Sequence, residues 1–226
     1  MFPFGLIPLL LFLFLLILFP LILADVMLSA LARLGLDPGT SLLAALGILL
    51  GGMINIPVKR IRRENPVKHT PSGLYGIERM MPGLVKQSNY TTIAVNIGGC
   101  VVPSIIVIYQ IIRLAGEGSM ALITVSGAAL INIVFCYFFA RPVRGVGIAL
   151  SPIIPAVVAA LCGVLFIPDL APVIAFVSGV TGPLVGADLL NLNKISKIST
   201  GVASIGGAGT FDGIVISGFL ATLLTW

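Results

Sequence analysis

Two of the eight acidic residues in the 226-residue sequence, Asp188 and Asp212, fall inside apolar runs. The other six (Asp25, Asp37, Glu64, Glu78, Glu117 and Asp169) lie in polar stretches or at the ends of apolar runs, where water is available. A carboxylate in the hydrocarbon of a bilayer costs about 2.5–3.5 kcal/mol on insertion scales, so those that persist there usually face a cavity and do something. Two such groups within a few ångströms cannot comfortably both ionise, and they come to share a proton. In that state the ionised member takes a proton from water while the protonated member polarises a carbonyl, which is aspartyl hydrolysis.

The strings around the two residues are GADLLNL (186–192) and GGAGTFDGI (206–214). Gly206, Gly207, Ala208 and Gly209 make a poor helix, and Gly-rich unwound backbone at membrane depth occurs where it lines a cavity. Asp188 precedes Lys194 by six residues, roughly 9 Å of helix. With 199–209 partly extended, Asp188 and Asp212 reach one level near one face of the membrane. Gly207, Gly209, Thr210, Phe211 and Gly213 are then the expected substrate-binding residues, small enough for the most part to let a substrate backbone approach. Three cysteines (Cys100, Cys136, Cys162) lie in apolar runs at spacings that suit neither disulfides nor zinc, and His69 is the only histidine. No metal site and no cofactor are expected. Asn96, Asn132 and the prolines at 103, 152, 155 and 172 read more simply as hydrogen-bonding glue and helix kinks. The bland alternative for the aspartates is that Asp188 pairs with Lys194 and Asp212 caps the last helix.

The elements that would position these groups follow from composition. The sequence is 58% hydrophobic and 9% charged, with 26 glycines and 15 prolines. A soluble domain carries about 25% charged residues, so lipid is the solvent for most of this chain. The net charge of +5 reflects loop composition and not a nucleic-acid partner. The expected class is an all-α membrane protein, one polytopic domain over 1–226, with seven helices at about 4–24, 40–55, 93–112, 119–140, 148–167, 170–190 and 201–225. The first run has no basic n-region and no cleavage site, and reads as a retained span. Residues 25–37 read as a short interfacial helix, and Asp37-Pro-Gly-Thr as the turn opening the second span. The ends of the polar loop 55–91, at 55–61 and 89–95, alternate and are β-branched, which predicts a short hairpin flanking that loop. This segmentation puts eleven of the thirteen Lys and Arg residues on one side, leaving Arg33 and Arg113 on the other. By the positive-inside rule the N-terminus and the 55–91 loop are cytoplasmic and the C-terminus is outside.

GADLLNL and GGAGTFDGI, with NIP at 55–57, AVNIGG at 94–99 and SPIIPA at 151–156, resemble an uncharacterised family of prokaryotic membrane proteins, a domain of unknown function. That resemblance implies a multi-pass protein of the inner membrane. A more distant resemblance is to the intramembrane aspartyl proteases (presenilin, signal peptide peptidase and the prepilin peptidases), whose second aspartate follows a Gly-x-Gly string. Here Asp212 follows Gly207-Ala208-Gly209 with Thr210 and Phe211 between, and Asp188 matches the first aspartate. This second likeness implies a catalytic Asp188/Asp212 dyad acting on a membrane-spanning peptide or protein. A proton- or cation-coupled transporter using the same carboxylates, and a non-catalytic scaffold whose basic 55–91 loop binds anionic lipid or a partner, are the other two readings.

Overall fold

In the computed structural model, residues 6–68, 87–143, 147–197, 202–207 and 212–225 are described. They are mostly helical, with a small sheet. The first helix, α1 (Leu6–Arg33), has 28 residues, or about 42 Å at 1.5 Å per residue. Its outer turns touch little protein: Leu9 to Leu16 are all exposed apolar side chains. Packing begins near Leu23, and Met27, Ala30, Leu31 and Leu34 are fully buried. The separate interfacial helix expected at 25–37 is therefore not found. Its apolar stripe is buried against the bundle, so the segment simply prolongs α1.

The later helices are α2 (Pro38–Gly51), α3 (Val102–Glu117), α4 (Ser119–Phe139), α5 (Ile153–Phe166), α6 (Ala171–Thr181) and α7 (Gly213–Leu224). Asp37, read from sequence as part of the turn opening this helix, caps α2, accepting hydrogen bonds from the Thr40 N–H at 3.0 Å and the Thr40 hydroxyl at 2.6 Å. Among the described residues, four helical stretches are long and apolar enough to cross a membrane: Ile7–Arg33, Ile97–Glu117, Ser119–Phe139 and Pro168–Ile195. The helices α2, α5 and α7 are apolar but have only 14, 14 and 12 residues, short of the roughly 20 that a full crossing needs.

Strands take up part of the difference. β1 (Asn55–Lys68) pairs antiparallel with β2 (Gln87–Asn96), from Asn55↔Asn96 to Lys68↔Gln87, so the hairpin flanking the polar loop is present. A third strand, β5 (Val202–Ile205), adds to β2 in parallel. A small hairpin joins β3 (Arg141–Val143) and β4 (Gly147–Ala149). Three expected spans thus begin later than hydropathy suggests. Ile93, Ala94, Ile148, Val202, Ala203 and Ile205 are apolar because their strands are buried or line the cavity described below, not because they are helical.

Small residues bring α6 and α7 together. A methyl at Gly179 would lie 3.0 Å from the Ser217 carbonyl, and one at Gly218 only 2.5 Å from Val180. Ala175 packs with Ala221, and Phe176 with Phe219 at 5.7 Å between rings. Earlier residues of α6 meet later ones of α7, so the pair is antiparallel. Close backbone approach of this kind drives helix association in lipid. Asn132 acts as the glue its sequence position implies: its Nδ2 donates to the Ser178 and Pro155 carbonyls at 2.8 and 3.1 Å, tying α4 to α6 and α5.

The bundle has two distinct ends. At one, Arg33 donates to the Thr225 carbonyl at 2.6 Å and Arg113 to the Leu34 carbonyl at 2.6 Å. At the other stand the two sheets and the helical segment Leu189–Lys197. The two basic residues set apart in the sequence are thus together at the first end.

Candidate functional site

Asp188 ends a widened helical turn. After α6 the chain forms a π-helical stretch, Gly182–Asp188, and then a 3-10 stretch, Leu189–Lys197. Pro183 has no N–H to donate, so the regular α ladder cannot continue through it. The glycines of this stretch let α4 press close. A methyl at Gly182 would meet Asn132 Nδ2 at 2.6 Å, and one at Gly186 would meet the Ile133 carbonyl at 2.3 Å. Single π turns inside helices occur frequently at functional sites, because they change which side chains face inward. Asn191 closes the stretch, donating to the Gly186 and Ala187 carbonyls.

Asp212 is the N-cap of α7, with extended backbone (φ −83°, ψ 148°) and Oδ2 accepting from the Ile214 N–H at 3.0 Å. The capping role weighed as the bland alternative is therefore real. It occupies one oxygen. The other, Oδ1, faces Gly207, where an added Cβ would sit 2.7 Å from it.

The turn at Gly206 and Gly207 links the two carboxylates. Both glycines have positive φ, 82° and 79°, a region where a side chain is disfavoured. The Gly206 N–H donates to Asp188 Oδ2 at 3.3 Å, and Gly207 lies against Asp212. The expected departure from helix is present at these two residues, and β5 leads directly into them. Beneath the turn is Gly99, where a Cβ would be 1.9 Å from the Gly206 carbonyl oxygen and 3.2 Å from Asp212 Cβ. Gly99 belongs to a π turn, Ile97–Val101, capped by the fully buried Asn96. Asn96 Oδ1 accepts from the Gly99 N–H at 2.7 Å, and its Nδ2 donates to the Gly52 carbonyl at 2.8 Å and to Asn55 Oδ1 at 3.2 Å. Asn96 thus holds up the site without lining it.

Both aspartates line one cavity of about 220 Å³. Its walls are β5, Gly207, the β4 residues Gly147 and Ile148, and the Leu192 and Ile195 side chains. Both carboxylates are only partly buried. Among the described residues no cation pairs with either one. Lys194, the simple partner for Asp188, instead lies with Nζ 5.1 Å from the centre of the Tyr137 ring.

Of the expected substrate-binding residues, Gly207 lines the cavity, whereas Gly213 opens α7 and is not in the lining. Gly209, Thr210 and Phe211 lie outside the described residues, as does His69. Among the described residues, no three His, Cys, Asp or Glu side chains cluster as a metal site would need. Sequence reasoning missed the β4 and β5 walls and the place of Gly99. It also grouped Cys100 with the inert cysteines, whereas Cys100 packs against Gly206 beside the aspartates. The one available signal was the pairing of glycines at 98–99 with those at 206–207, both following β-branched runs.

No curated protein and no solved structure matches the chain. The likeness to presenilin-type proteases therefore rests on the two aspartates and their glycines alone. The pattern of DUF1614, described as a protein of unknown function, matches residues 49–224, which include the GADLLNL and GGAGTFDGI strings and the whole cavity. The chain belongs to the DUF1614 family.

Proposed function

We propose that this protein is an intramembrane aspartyl protease in which Asp188 and Asp212 hydrolyse peptide bonds of membrane segments. The observation that carries this reading is the glycine turn touched by both carboxylates at one cavity. Each carboxylate has one oxygen tied to backbone, Asp188 Oδ2 to Gly206 and Asp212 Oδ2 to Ile214, which leaves Oδ1 of each for chemistry. With one proton between the pair, water adds to the scissile carbonyl carbon. The ionised carboxylate accepts the water proton, and the protonated one donates to the carbonyl oxygen. Collapse of the gem-diol breaks the C–N bond, and a proton passes to the departing amine. β5 is an edge strand of its sheet and runs along the cavity, so an extended substrate can lie beside it by main-chain pairing.

The membrane arrangement that goes with this has seven crossings, with the N-terminus cytoplasmic and the C-terminus outside, in a prokaryotic inner membrane. The 12 residues of α7 span about 18 Å from the Thr225 end, against about 30 Å of hydrocarbon. Asp212 then lies roughly 10 Å inside the cytoplasmic boundary. The non-helical backbone of β5, Gly206 and Gly207 lies at a similar depth, where it is tolerated only in protein or along a water-filled cavity. This is the route by which water reaches the carboxylates.

One observation favours a second reading. A carboxylate at a break between π and 3-10 helix also suits a proton- or cation-coupled transporter. The deciding experiment incubates purified protein with membrane-segment peptides and, in parallel, loads it into liposomes. Cleavage abolished by Asp188→Asn and by Asp212→Asn supports proteolysis. A solute or proton flux abolished by the same changes, without cleavage, supports transport. Wild-type activity in both variants refutes both.

A further inference from the structure

The sheet at the cavity end has one face that carries two exposed arginines, Arg60 and Arg62. β1 carries an irregularity between Pro57 and Lys59, where the register passes from Pro57↔Ala94 to Lys59↔Ile93. Beyond it, Lys59 and Ile61 stand opposite Ile93 and Thr91, both buried. Successive side chains alternate across a strand, so Arg60 and Arg62 point to the opposite face, beside Thr92 and Tyr90. Arg60, Arg62 and Tyr90 are exposed there. Among the residues whose side chains are described, no carboxylate forms an ion pair with either arginine.

The residues just before this face are apolar and also exposed: Met53 is 80% accessible and Val58 65%, with Ile54 and Ile56 between them. Between Met53 and Arg62 the exposed side chains, taken over both faces of the strand, thus pass from mainly hydrocarbon-like groups to charged ones. Along a bilayer normal, acyl chains give way to phosphates in the same order. We propose that the Arg60/Arg62 face binds the phosphate of an anionic lipid headgroup, with the apolar side chains of Met53, Ile54, Ile56 and Val58 in the adjoining acyl layer and Tyr90 at the interface between them. Arginines two apart on a strand are about 6.6–6.8 Å from each other, so both forks can address one phosphodiester, each bidentately. Tyrosine is enriched at this depth of a membrane. The adjoining apolar run selects a lipid over a soluble anion, which would gain nothing from it. This inference stands apart from the proteolytic reading.

The test is native mass spectrometry of the full chain purified in neutral detergent, titrated with phosphatidylglycerol or phosphatidylcholine. Wild type should retain phosphatidylglycerol in clear preference. The double variant Arg60→Gln/Arg62→Gln should bind it about thirty-fold more weakly, given the usual contribution of each basic residue at an anionic surface. Arg62→Gln alone, which removes one exposed side chain and keeps the fold, should weaken it about fivefold. Excess inorganic phosphate should leave the bound lipid in place. An unchanged preference in a folded variant, or no preference in wild type, would overturn the proposal. Displacement by inorganic phosphate would overturn it in favour of a soluble anion.

Discussion

Gly99→Ala is the perturbation whose effect is most directly set by the site geometry. The new methyl would begin 1.9 Å from the Gly206 carbonyl oxygen, and ordinary contact starts at 3.4 Å. One backbone must therefore retreat by about 1.5 Å, and misplacement of this size at a reacting centre costs on the order of 100-fold in rate. The displaced turn is the one that donates to Asp188 and packs on Asp212, so both carboxylates shift relative to each other. Overpacking of this kind also destabilises by about 1–3 kcal/mol. The assay is cleavage of a membrane-segment peptide, read beside thermal unfolding of the same preparation. A folded Gly99→Ala protein should cleave at least about 100-fold more slowly. Gly127→Ala is the matched control: its methyl meets nothing within 4 Å, so it should leave cleavage unchanged and stabilise α4 by up to about 1 kcal/mol. A folded Gly99→Ala protein with wild-type cleavage would refute the placement of the glycine turn as the element that sets the dyad.

Other outcomes separate structure from chemistry. Asp212→Asn keeps a good N-cap and should retain the unfolding temperature of wild type while losing cleavage. Asp212→Ala should lose both, with about 0.5–2 kcal/mol of stability gone with the cap. Asn96→Ala leaves the Gly99 N–H and the Gly52 carbonyl without the bonds Asn96 makes, at about 1–3 kcal/mol for each buried group, and should lower the unfolding temperature by several degrees. Asp37 titrates below the ordinary carboxylate range because the Thr40 hydroxyl and N–H bond to it. Its capping contribution is therefore complete above the ordinary carboxylate range and disappears as pH falls through the lowered folded value. An unfolding series from neutral pH to below pH 4 should show this acid loss in wild type and lack it in Asp37→Asn.

Much of the helical frame was legible, and for definite reasons. Hydropathy marks α4 to within a residue and overlaps most of α3, missing the strand and π turn that precede it and its last turn. Asp37 announced the start of α2, and the alternation at 55–61 and 89–95 announced β1 and β2. What was illegible depended on long-range contact. β5 is four residues long and pairs with β2 from more than a hundred residues away, so apolar residues there read as the start of a helix. The same ambiguity hid β4. Met27, Ala30 and Leu31 displayed an amphipathic stripe, but whether lipid headgroups or protein covered it was a tertiary fact. Asp188 and Asp212 stood out by their cost in an apolar environment, which local sequence does display. Gly99 did not, since its importance lies in a carbonyl contributed by Gly206.

The most direct measurement is the rate of peptide cleavage by four proteins side by side: wild type, Asp188→Asn, Asp212→Asn and the variant carrying both changes. Residues that act as one unit lose nearly everything at the first substitution, so each single change should bring the rate as low as the double change does. Two partial losses that multiply in the double variant, or cleavage surviving in either single one, would contradict a shared site for Asp188 and Asp212.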